Sequence, residues 1–549
     1  IIKPIAGCEA YMARESLADR AKEEKPYHLL LLAKNFTGYR NLCYLMTQGF
    51  AKGFYRKPRI DLALLREHHE GIIVGSACLA GPIAQAVVRN DFDAARGFIR
   101  TFKEIFGKDF YLEIMLHPKI APSDPNTAIQ PQLRVAAALI RLSIETDTPL
   151  IVTNDVHFLN REDAEIHDLL LCISTTRTMS DTKRLRYTHQ EYFKSADEML
   201  QTFQQQYPGV ANEYMAIAKL SQAAPQGDGK PVPSMLSEDE YLAIVTQAME
   251  TTVRIAEEVE VYSIKRDPVM PNFPVPPEFP DAAAYLRHLV YQGAQERWGT
   301  PLAPEYRERL DFELSTIERM GFPGYFLIVW DFIRAARERG ISVGPGRGSA
   351  AGSAVAFCLK ITALDPIKHQ LLFERFLNPD RISLPDIDVA FEDNRRAEVI
   401  DYVRDFYGAD CVAGVATFNC LGVKSAVNDV IRTREIPPDV AAPVQKALKP
   451  LKVTSFQEIL KAKKDDKDKA EVYACRELYE KAHGLQRQLF DDAINIDGML
   501  KSIGQHACGF IIGKEALYNY APLFKTKDGG TMAVQFEGSS MESIGLVKM

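Results

Sequence analysis

Long apolar runs are absent from this sequence. The longest ones, such as YFLIVW at residues 325–330, are far shorter than the roughly 20 residues that a membrane-spanning helix needs. The N-terminus also lacks an initiator Met and a basic stretch leading into a long apolar run, so we expect a cut end rather than a signal peptide. The sequence therefore predicts neither a membrane span nor a secretion signal.

Paired cysteines and a strong charge of one sign are absent too. The nine cysteines include no C-x-x-C pair, which indicates reduced thiols in a cytosolic protein rather than a disulfide framework. The 73 acids and 66 bases give a net charge of −7, so overall charge gives no sign of nucleic-acid binding. A local basic groove is compatible with that balance, because it can bind phosphate on an acidic protein.

Apolar patterning indicates several regions. Up to about residue 260, short apolar runs alternate with amphipathic helical patterns, which predicts an α/β domain, with a barrel as one form of it. The proline-rich stretch at 267–280 predicts a linker. A purely helical pattern from about 420 to 495 predicts a helical insertion in a second α/β domain. The strands predicted in the first region are 28–34, 71–77, 109–116 and 148–155.

Two carboxylates in the run SLPDIDVAF, residues 383–391, form the first candidate site. On a strand, Asp386 and Asp388 would share one face, with Cα atoms about 6.6 Å apart, while Ile387 and Val389 would pack on the other. Two acids this close repel each other, and a hard cation such as Mg²⁺ relieves that repulsion. A pair of edge-strand acids that face water is the alternative.

A glycine-rich stretch, GPGRGSAAGS at 344–353, is predicted to follow a short strand and to open a helix. Glycines allow close approach to an anion, and exposed N–H groups at a helix start attract phosphate. Arg347 adds a cation and Ser349 a hydroxyl donor. No G-K-[ST] follows, so the stretch is not a Walker A loop. A tight turn that only permits close helix packing is the alternative.

Arg375, in LLFERFLNPDR, lies between the glycine-rich stretch and the two acids. Alone, it is typical of a surface salt bridge. A phosphate loop, an arginine and two metal-binding acids together indicate phosphoryl or nucleotidyl transfer, which depends on charge neutralisation and positioning. In the two-metal form, one ion activates the attacking oxygen and the other stabilises the leaving group.

Six motifs along the chain resemble, in their order, those of the C-family replicative DNA polymerases, the α subunits of bacterial DNA polymerase III. They are GFPGYFLIVWDFI, VGPGRGSAAGS, LLFERFLNP, LPDID, HACGFII and IGLVKM. The resemblance covers nearly the whole chain. It implies a DNA-directed DNA polymerase that binds primer–template DNA and adds dNTPs to a primer 3′ end with two Mg²⁺ ions.

The same resemblance assigns residues to the polymerase site. Asp386 and Asp388 match the first two catalytic acids. Gly348 and Ser349 match the turn that holds the triphosphate of the incoming nucleotide. Arg375 and Lys548 match basic residues that contact its phosphates.

Two departures from the family pattern concern this site. The family usually reads PDIDxDF, so Ala390 replaces an acid, through either natural variation or an inactivating change. The third catalytic acid normally follows LVKM directly, beyond Met549. The chain alone is therefore predicted to be inactive as a polymerase.

The resemblance also implies a division into domains. Residues 1–265 would form a PHP domain, a distorted (β/α) barrel, and 266–285 a linker. Residues 286–418 and 496–549 would form two parts of a nucleotidyltransferase-like palm with a mixed sheet. Between these parts, residues 419–495 would form an inserted helical thumb.

The PHP domain is related to metal-dependent phosphoesterases, and five residues match its metal-ligand positions: Glu9, His28, Cys78, Asp155 and His157. Their imidazole, thiolate and carboxylate groups suit Zn²⁺ or Mn²⁺. The paired histidines that usually open this domain would lie before residue 1, so the metal cluster is expected to be incomplete. From the sequence alone, Cys78 and His28 are more typical of buried structural residues.

Basic residues of the predicted thumb are candidates for DNA binding. Lys446, Lys449 and Lys452 could follow duplex phosphates, with a strong salt dependence. The mixed-charge run KKDDKDK at 463–469 is instead typical of a solvated surface, because its charges neutralise one another. The sequence predicts no chemical role for His506, in HACGFII.

The resemblance implies a bacterial cytoplasmic protein whose parent molecule works with a sliding clamp, a proofreading exonuclease and a clamp loader. Two other interpretations stay open. One is a PHP-type phosphoesterase whose second half only binds nucleic acid, and the other is a DNA-binding or replisome-scaffold fragment without turnover. Loss of primer extension on changing Asp386 or Asp388 would favour the polymerase, whereas phosphate release that depends on Asp155 and His157 would favour the phosphoesterase.

Overall fold

The computed structural model divides the chain into two compact units. The first contains residues 1–262 and 418–504, and the second contains residues 263–417 and 505–549. No helix in the described part of the chain is both long and apolar enough to span a bilayer. The described residues are 2–18, 20, 25–119, 127–221, 232–378, 384–463, 469–525 and 531–549.

The N-terminal part of the first unit contains a six-stranded mixed sheet. Its strands are β1 Gly7–Met12, β2 Tyr27–Ala33, β3 Arg59–Ile60, β4 Ile72–Gly75, β5 Phe110–Ile114 and β6 Leu150–Val152. Their order is β3-β1-β2-β4-β5-β6, with β2 antiparallel to both β1 and β4 and the other pairs parallel. The four predicted strands are confirmed. Since β3 and β6 are the ends of this order, closure into a barrel stays a prediction.

Helices pack around this sheet and bury apolar side chains against it. In α4, Ile99 and Phe102 lie in the core, and in α5, Leu139 does so. Polar caps start several helices; Asn35, for example, accepts a hydrogen bond from the N–H of Gly38. The helices are α1 Phe36–Ala51, α2 Leu62–Glu67, α3 Pro82–Val88, α4 Phe92–Phe106, α5 Ile129–Thr146, α6 Ala164–Thr175, α7 Ala196–Ser221 and α8 Glu238–Glu258.

Residues 267–280, the proline-rich stretch, form neither a helix nor a strand. The second unit then continues with helices around its own apolar core, in which Phe326 and Ile333 are fully buried. Its first elements are α9 Ala282–Trp298, α10 Pro304–Arg319, α11 Pro323–Glu338, α12 Ala354–Cys358, α13 Arg396–Tyr407 and β7 Val412–Cys420.

The helical segment that follows belongs to the first unit. Its helices are α14 Val423–Arg434, α15 Pro438–Leu448, α16 Phe456–Leu460, α17 Ala470–Lys481 and α18 Gly484–Ile496. They share one apolar core with α6, which contributes Leu169 and Ile173. The predicted helical character of this segment is therefore confirmed, and α6 is part of its packing.

A five-stranded mixed sheet completes the second unit. The remaining strands are β8 Leu500–Ile512, β9 Leu523–Lys525, β10 Met532–Glu537 and β11 Val547–Lys548. The order is β11-β8-β7-β10-β9, in which β10 runs parallel to β7 and antiparallel to β9. The short β11 pairs antiparallel with β8, which places Lys548 opposite Ile511.

Candidate active site

Asp386 and Asp388 lie in extended chain rather than in a strand. The described residues 384–390 form no strand, because Pro385 cannot donate to a ladder, and a single bridge joins Phe391 to Val343. The predicted strand is therefore wrong, but its alternation is confirmed. Both acids are exposed, whereas Ile387 is only 6% exposed and packs in the core.

A buried tyrosine fixes the backbone between the two acids. The N–H of Ile387 donates to Tyr325 Oη at 3.1 Å, and Tyr325 itself is 1% exposed in α11. Burial raises the pKa of the Tyr325 phenol, and the nearby charges of Asp386 and Asp388 raise it further. The phenol is therefore neutral at physiological pH and acts as a rigid anchor for this segment.

The glycine-rich stretch lies beside the acids. The N–H of Gly344 donates to Ala390 O at 2.8 Å. Gly346 and Gly348 have φ angles of +102° and +65°, which favour glycine. A Cβ added to Gly348 would lie 4.0 Å from Asp388 Oδ2. The structure therefore brings the predicted phosphate loop and the predicted metal-binding acids together.

The helix after this loop does not offer its N-terminus to a phosphate. A 3₁₀ turn, Gly348–Gly352, comes first, and α12 has only five residues. The fully buried Glu313 accepts hydrogen bonds from Ser353 Oγ at 2.8 Å and from the N–H groups of Ala354 and Val355 at 3.0 Å. The prediction that this helix start attracts phosphate is therefore wrong, because an internal carboxylate already caps it.

One arginine ties the glycine-rich turn to the turn that carries Arg375. Arg309 Nη2 donates to Gly352 O at 2.8 Å and to Leu371 O at 3.1 Å. Arg309 Nε donates to Glu313 at 2.6 Å, so the buried carboxylate also orients the arginine. This pair fixes the two turns relative to each other. The predicted anion-binding residues on these turns are exposed: Arg347, Gly348, Ser349 and Arg375.

A cavity of about 110 Å³ lies at the acids. Its charged and polar lining comprises Asp386, Asp388, Arg396, His506, Cys508 and Lys548. The structure therefore places Lys548 with the two acids, as the site prediction requires. Sequence reasoning missed Arg396, since an arginine at a helix start in EDNRRAEV looks like any surface charge.

The two carboxylates have the chemistry of a cation site. Neither one forms an ion pair or a side-chain hydrogen bond with the described residues. Exposed carboxylate oxygens without a protein partner remain available to a hard cation, and two of them side by side favour a divalent one. The residues present therefore fit the predicted Mg²⁺.

In the first unit, one predicted metal ligand, His28, contacts two others, Glu9 and Cys78. His28 Nδ1 lies 2.5 Å from Glu9 Oε1 and 3.6 Å from Cys78 Sγ. Hydrogen bonds to Cys78 and Glu9 raise the pKa of His28 to about 10, and the hydrogen bond to His28 lowers the pKa of Glu9. The imidazole is therefore protonated at neutral pH, and a metal ion would have to displace that proton.

The other two predicted ligands lie just after β6. His157 Nδ1 is 2.6 Å from the carbonyl oxygen of Asp155 and 4.0 Å from its Oδ1. Burial raises the pKa of Asp155, and the negative charge of Glu9 raises it further. The pair Asp155 and His157 therefore interacts electrostatically with the group that contains Glu9. Even so, no set of three or more His, Cys, Asp and Glu side chains in the described ranges is arranged to hold a metal ion.

Sequence reasoning missed a buried acid beside these residues. Glu113 of β5 accepts hydrogen bonds from the N–H of Ala77 at 2.7 Å and from Thr153 Oγ1 at 3.1 Å. Burial raises its pKa to about 7. The available signal was a single acid inside the apolar run DFYLEIML, which reads as a buried strand.

The three lysines predicted to bind DNA are close together. Lys446 lies in the last turn of α15, Lys449 caps that helix, and Lys452 follows it. All three are exposed, and Lys424 Nζ donates to Lys449 O at 3.0 Å, which adds a fourth cation. This end of α15 therefore presents basic charge, as a phosphate-binding surface would.

Comparison with known proteins agrees with both halves of the chain. Residues 284–549 match the family model described as the bacterial DNA polymerase III alpha NTPase domain, and residues 2–117 match the PHP domain. Over its whole length, the chain is 38% identical to DNA polymerase III subunit alpha of Borreliella burgdorferi, of which it covers 43%.

Two further relatives carry the same name. DNA polymerase III subunit alpha of Treponema pallidum is 38% identical, and that of Thermus aquaticus is 36% identical, each over 100% of this chain. The chain covers 42% and 45% of these two proteins, so it spans less than half the length of the curated relatives that it matches. The chain belongs to the family of bacterial DNA polymerase III alpha subunits.

Proposed function

We propose that the natural protein carrying this chain is the catalytic subunit of a bacterial replicase, a DNA-directed DNA polymerase that adds dNTPs to a primer 3′ end. One observation carries the proposal. Asp386 and Asp388 are exposed carboxylates without a described protein partner, in a cavity that also contains Lys548 and beside the turn at Gly348. Acids and phosphate-binding groups in one place are what nucleotidyl transfer requires.

Each described residue of the site has its own role in nucleotidyl transfer. Asp386 and Asp388 would hold two Mg²⁺ ions, which activate the attacking oxygen and stabilise the leaving group when bound. Tyr325 holds the backbone between these acids, so their spacing does not depend on the metal. Gly348 and Ser349 form the turn that would hold the triphosphate, to which the Ser349 hydroxyl can donate a hydrogen bond.

Cations complete this arrangement. Arg347, Arg375 and Lys548 neutralise the charge of the triphosphate and position it for attack. Arg309 and Glu313 fix the turns that carry Arg347 and Arg375, so the backbone at these two residues is positioned before the nucleotide binds.

The remaining parts of the proposal follow from family membership. The PHP domain of residues 1–265 closes as a distorted barrel, and Glu9, His28, Cys78, Asp155 and His157 bind Zn²⁺ or Mn²⁺ in the intact protein. After a linker at 266–285, residues 286–418 and 496–549 form the palm, and 419–495 form the thumb. The protein acts in the bacterial cytoplasm on primer–template DNA, with a sliding clamp, a proofreading exonuclease and a clamp loader.

Substitution of either acid tests this function. In the natural protein, Asp386→Asn and Asp388→Asn each remove a metal-binding charge without changing the size of the side chain. We expect primer extension to fall by about a thousandfold or more, whereas the Kd for primer–template DNA stays the same. Asp393→Asn, a nearby exposed acid outside the cavity, should extend primers normally. Normal extension by both aspartate variants would refute the assignment.

A further inference from the structure

His506 in the motif HACGFII has a fixed hydrogen-bonding state. Its Nδ1 accepts hydrogen bonds from the N–H groups of Cys508 at 3.1 Å and of Gly509 at 2.8 Å. A ring nitrogen that accepts two hydrogen bonds carries no proton, so the proton of the neutral imidazole is on Nε2. The opposite edge of the ring therefore presents one N–H donor.

His506 lines the cavity that contains the catalytic acids. His506, Arg396 and Lys548 line that cavity with Asp386 and Asp388. His506 also lines a neighbouring cavity of about 400 Å³, so the residue is accessible from both cavities. The histidine is exposed, and a ligand can therefore reach it.

The backbone around His506 places it beside Lys548. A Cβ added to Gly509 would lie 3.3 Å from Lys548 Cδ and 3.4 Å from His506 Nδ1, so both side chains flank this glycine. Arg396 Nη2 donates to Cys508 O at 3.0 Å, which fixes the same turn from the side of α13. Histidine, lysine and arginine are thus held together by one short segment of β8.

The three groups select the chemistry of their ligand. Arg and Lys side chains can only donate hydrogen bonds, and His506 in this state also donates from its free edge. The carboxylates of the described lining are the sites proposed for Mg²⁺. A ligand that pairs with all three donor groups must therefore supply several hydrogen-bond acceptors and negative charge. Phosphate oxygens supply both.

We infer that His506 Nε2–H donates a hydrogen bond to a phosphate oxygen at the reaction centre, and that Arg396 binds the same phosphate. The inference rests on the proposed polymerase function and extends it to two residues that carry no assigned role. The phosphate has two possible sources, the triphosphate of the incoming nucleotide and the last phosphodiester of the primer strand.

Two variants of His506 distinguish phosphate binding from a role that is limited to holding the turn at Cys508 and Gly509. In His506→Asn, the side-chain oxygen can still accept the N–H groups of Cys508 and Gly509, but the donor no longer reaches the cavity. His506→Ala loses both functions. His369→Ala, an exposed histidine of the same unit outside both cavities, is the matched control. The natural protein is assayed for dNTP KM and kcat in primer extension and for primer–template Kd without dNTP.

We expect His506→Asn to fold like the wild type and to lose about ten- to a hundredfold in binding, as befits one hydrogen bond to a charged group. A higher dNTP KM at unchanged primer–template Kd identifies the triphosphate as the ligand, whereas a higher primer–template Kd identifies the primer phosphate. Wild-type values for His506→Asn in both assays, with or without a defect in His506→Ala, would overturn the inference.

Failure of the proposed function gives a different result. If Asp386→Asn extends primers normally, the polymerase assignment of this cavity fails whatever His506 does. If Asp386→Asn is inactive and His506→Asn binds both ligands normally, only the role of His506 fails. The primer–template Kd needs no turnover, and the dNTP KM is measured on variants that keep both acids, so the two failures remain distinguishable.

Discussion

At the scale of single residues, Glu113 makes the stability of the first unit depend on pH. It is 5% exposed, and burial raises its pKa to about 7, against a value near 4.3 for an unfolded chain. The folded state therefore holds this proton more tightly than the unfolded state. The stability that results is fully present below the unfolded pKa and is lost as pH rises through about 7.

Replacement of Glu113 by Gln should remove this pH dependence. Between pH 5.5 and pH 8, we expect the wild type to lose about 2 kcal/mol of unfolding free energy relative to Glu113→Gln. The measurement is pulsed hydrogen exchange of the β5 amides after equilibration in urea at each pH, with a chelator present. Glu104→Gln changes an exposed acid of α4 and should follow the wild type. Parallel pH profiles for all three proteins would contradict the assignment.

At the scale of elements, the short α12 depends on a partner from another helix. A helix of five residues is too short to be stable by itself. The carboxylate of Glu313, on α10, satisfies the N–H groups of Ala354 and Val355 and binds Arg309. Through Arg309, the same carboxylate connects this helix start to the turns of the proposed nucleotide site.

Glu313→Ala should therefore reduce both stability and nucleotide binding. It leaves three buried hydrogen-bond donors without their acceptor and removes the ion pair of Arg309, for which we expect a loss of about 3–5 kcal/mol. Both tryptophans, Trp298 and Trp330, lie in the second unit, so their fluorescence follows its unfolding in urea. The dNTP KM of the folded variant should rise as well.

Glu308→Ala is the matched control for this prediction, because it removes an exposed acid from the same helix. It should change neither the unfolding midpoint nor the dNTP KM. Equal midpoints for Glu313→Ala and Glu308→Ala would show that the buried carboxylate does not support α12.

Local patterns in the sequence predict these elements only in part. The two-residue period of side chains in an extended chain correctly predicts that Asp386 and Asp388 are exposed and that Ile387 is buried. A β-strand also needs a partner strand and backbone N–H donors, and Pro385 has no N–H. The cap that Glu313 supplies to α12 joins residues about 40 positions apart. Such a contact has no local pattern, so the sequence does not reveal that the N–H groups at this helix start are already capped.

At the scale of the whole molecule, the helical segment 418–504 is held to α6 by more than apolar packing. Arg434 forms ion pairs with Glu165 at 2.6 Å and with Asp492 at 2.9 Å, and Leu169 lies in the shared core. Helical periodicity predicts the apolar faces of such a segment but does not identify the helix that covers them. The exposed basic end of α15 lies on this segment.

Salt dependence tests whether that basic end binds DNA in the natural protein. Replacement of Lys446, Lys449 and Lys452 by Ala should weaken primer–template binding and make the plot of log Kd against log salt less steep by about 3, since each phosphate contact contributes about 0.9. The matched control replaces three exposed lysines around the mixed-charge run: Lys461, Lys463 and Lys469. Their charges are balanced by neighbouring acids, so the slope should not change. Equal slopes for the two triple variants would show that the end of α15 is a solvated surface.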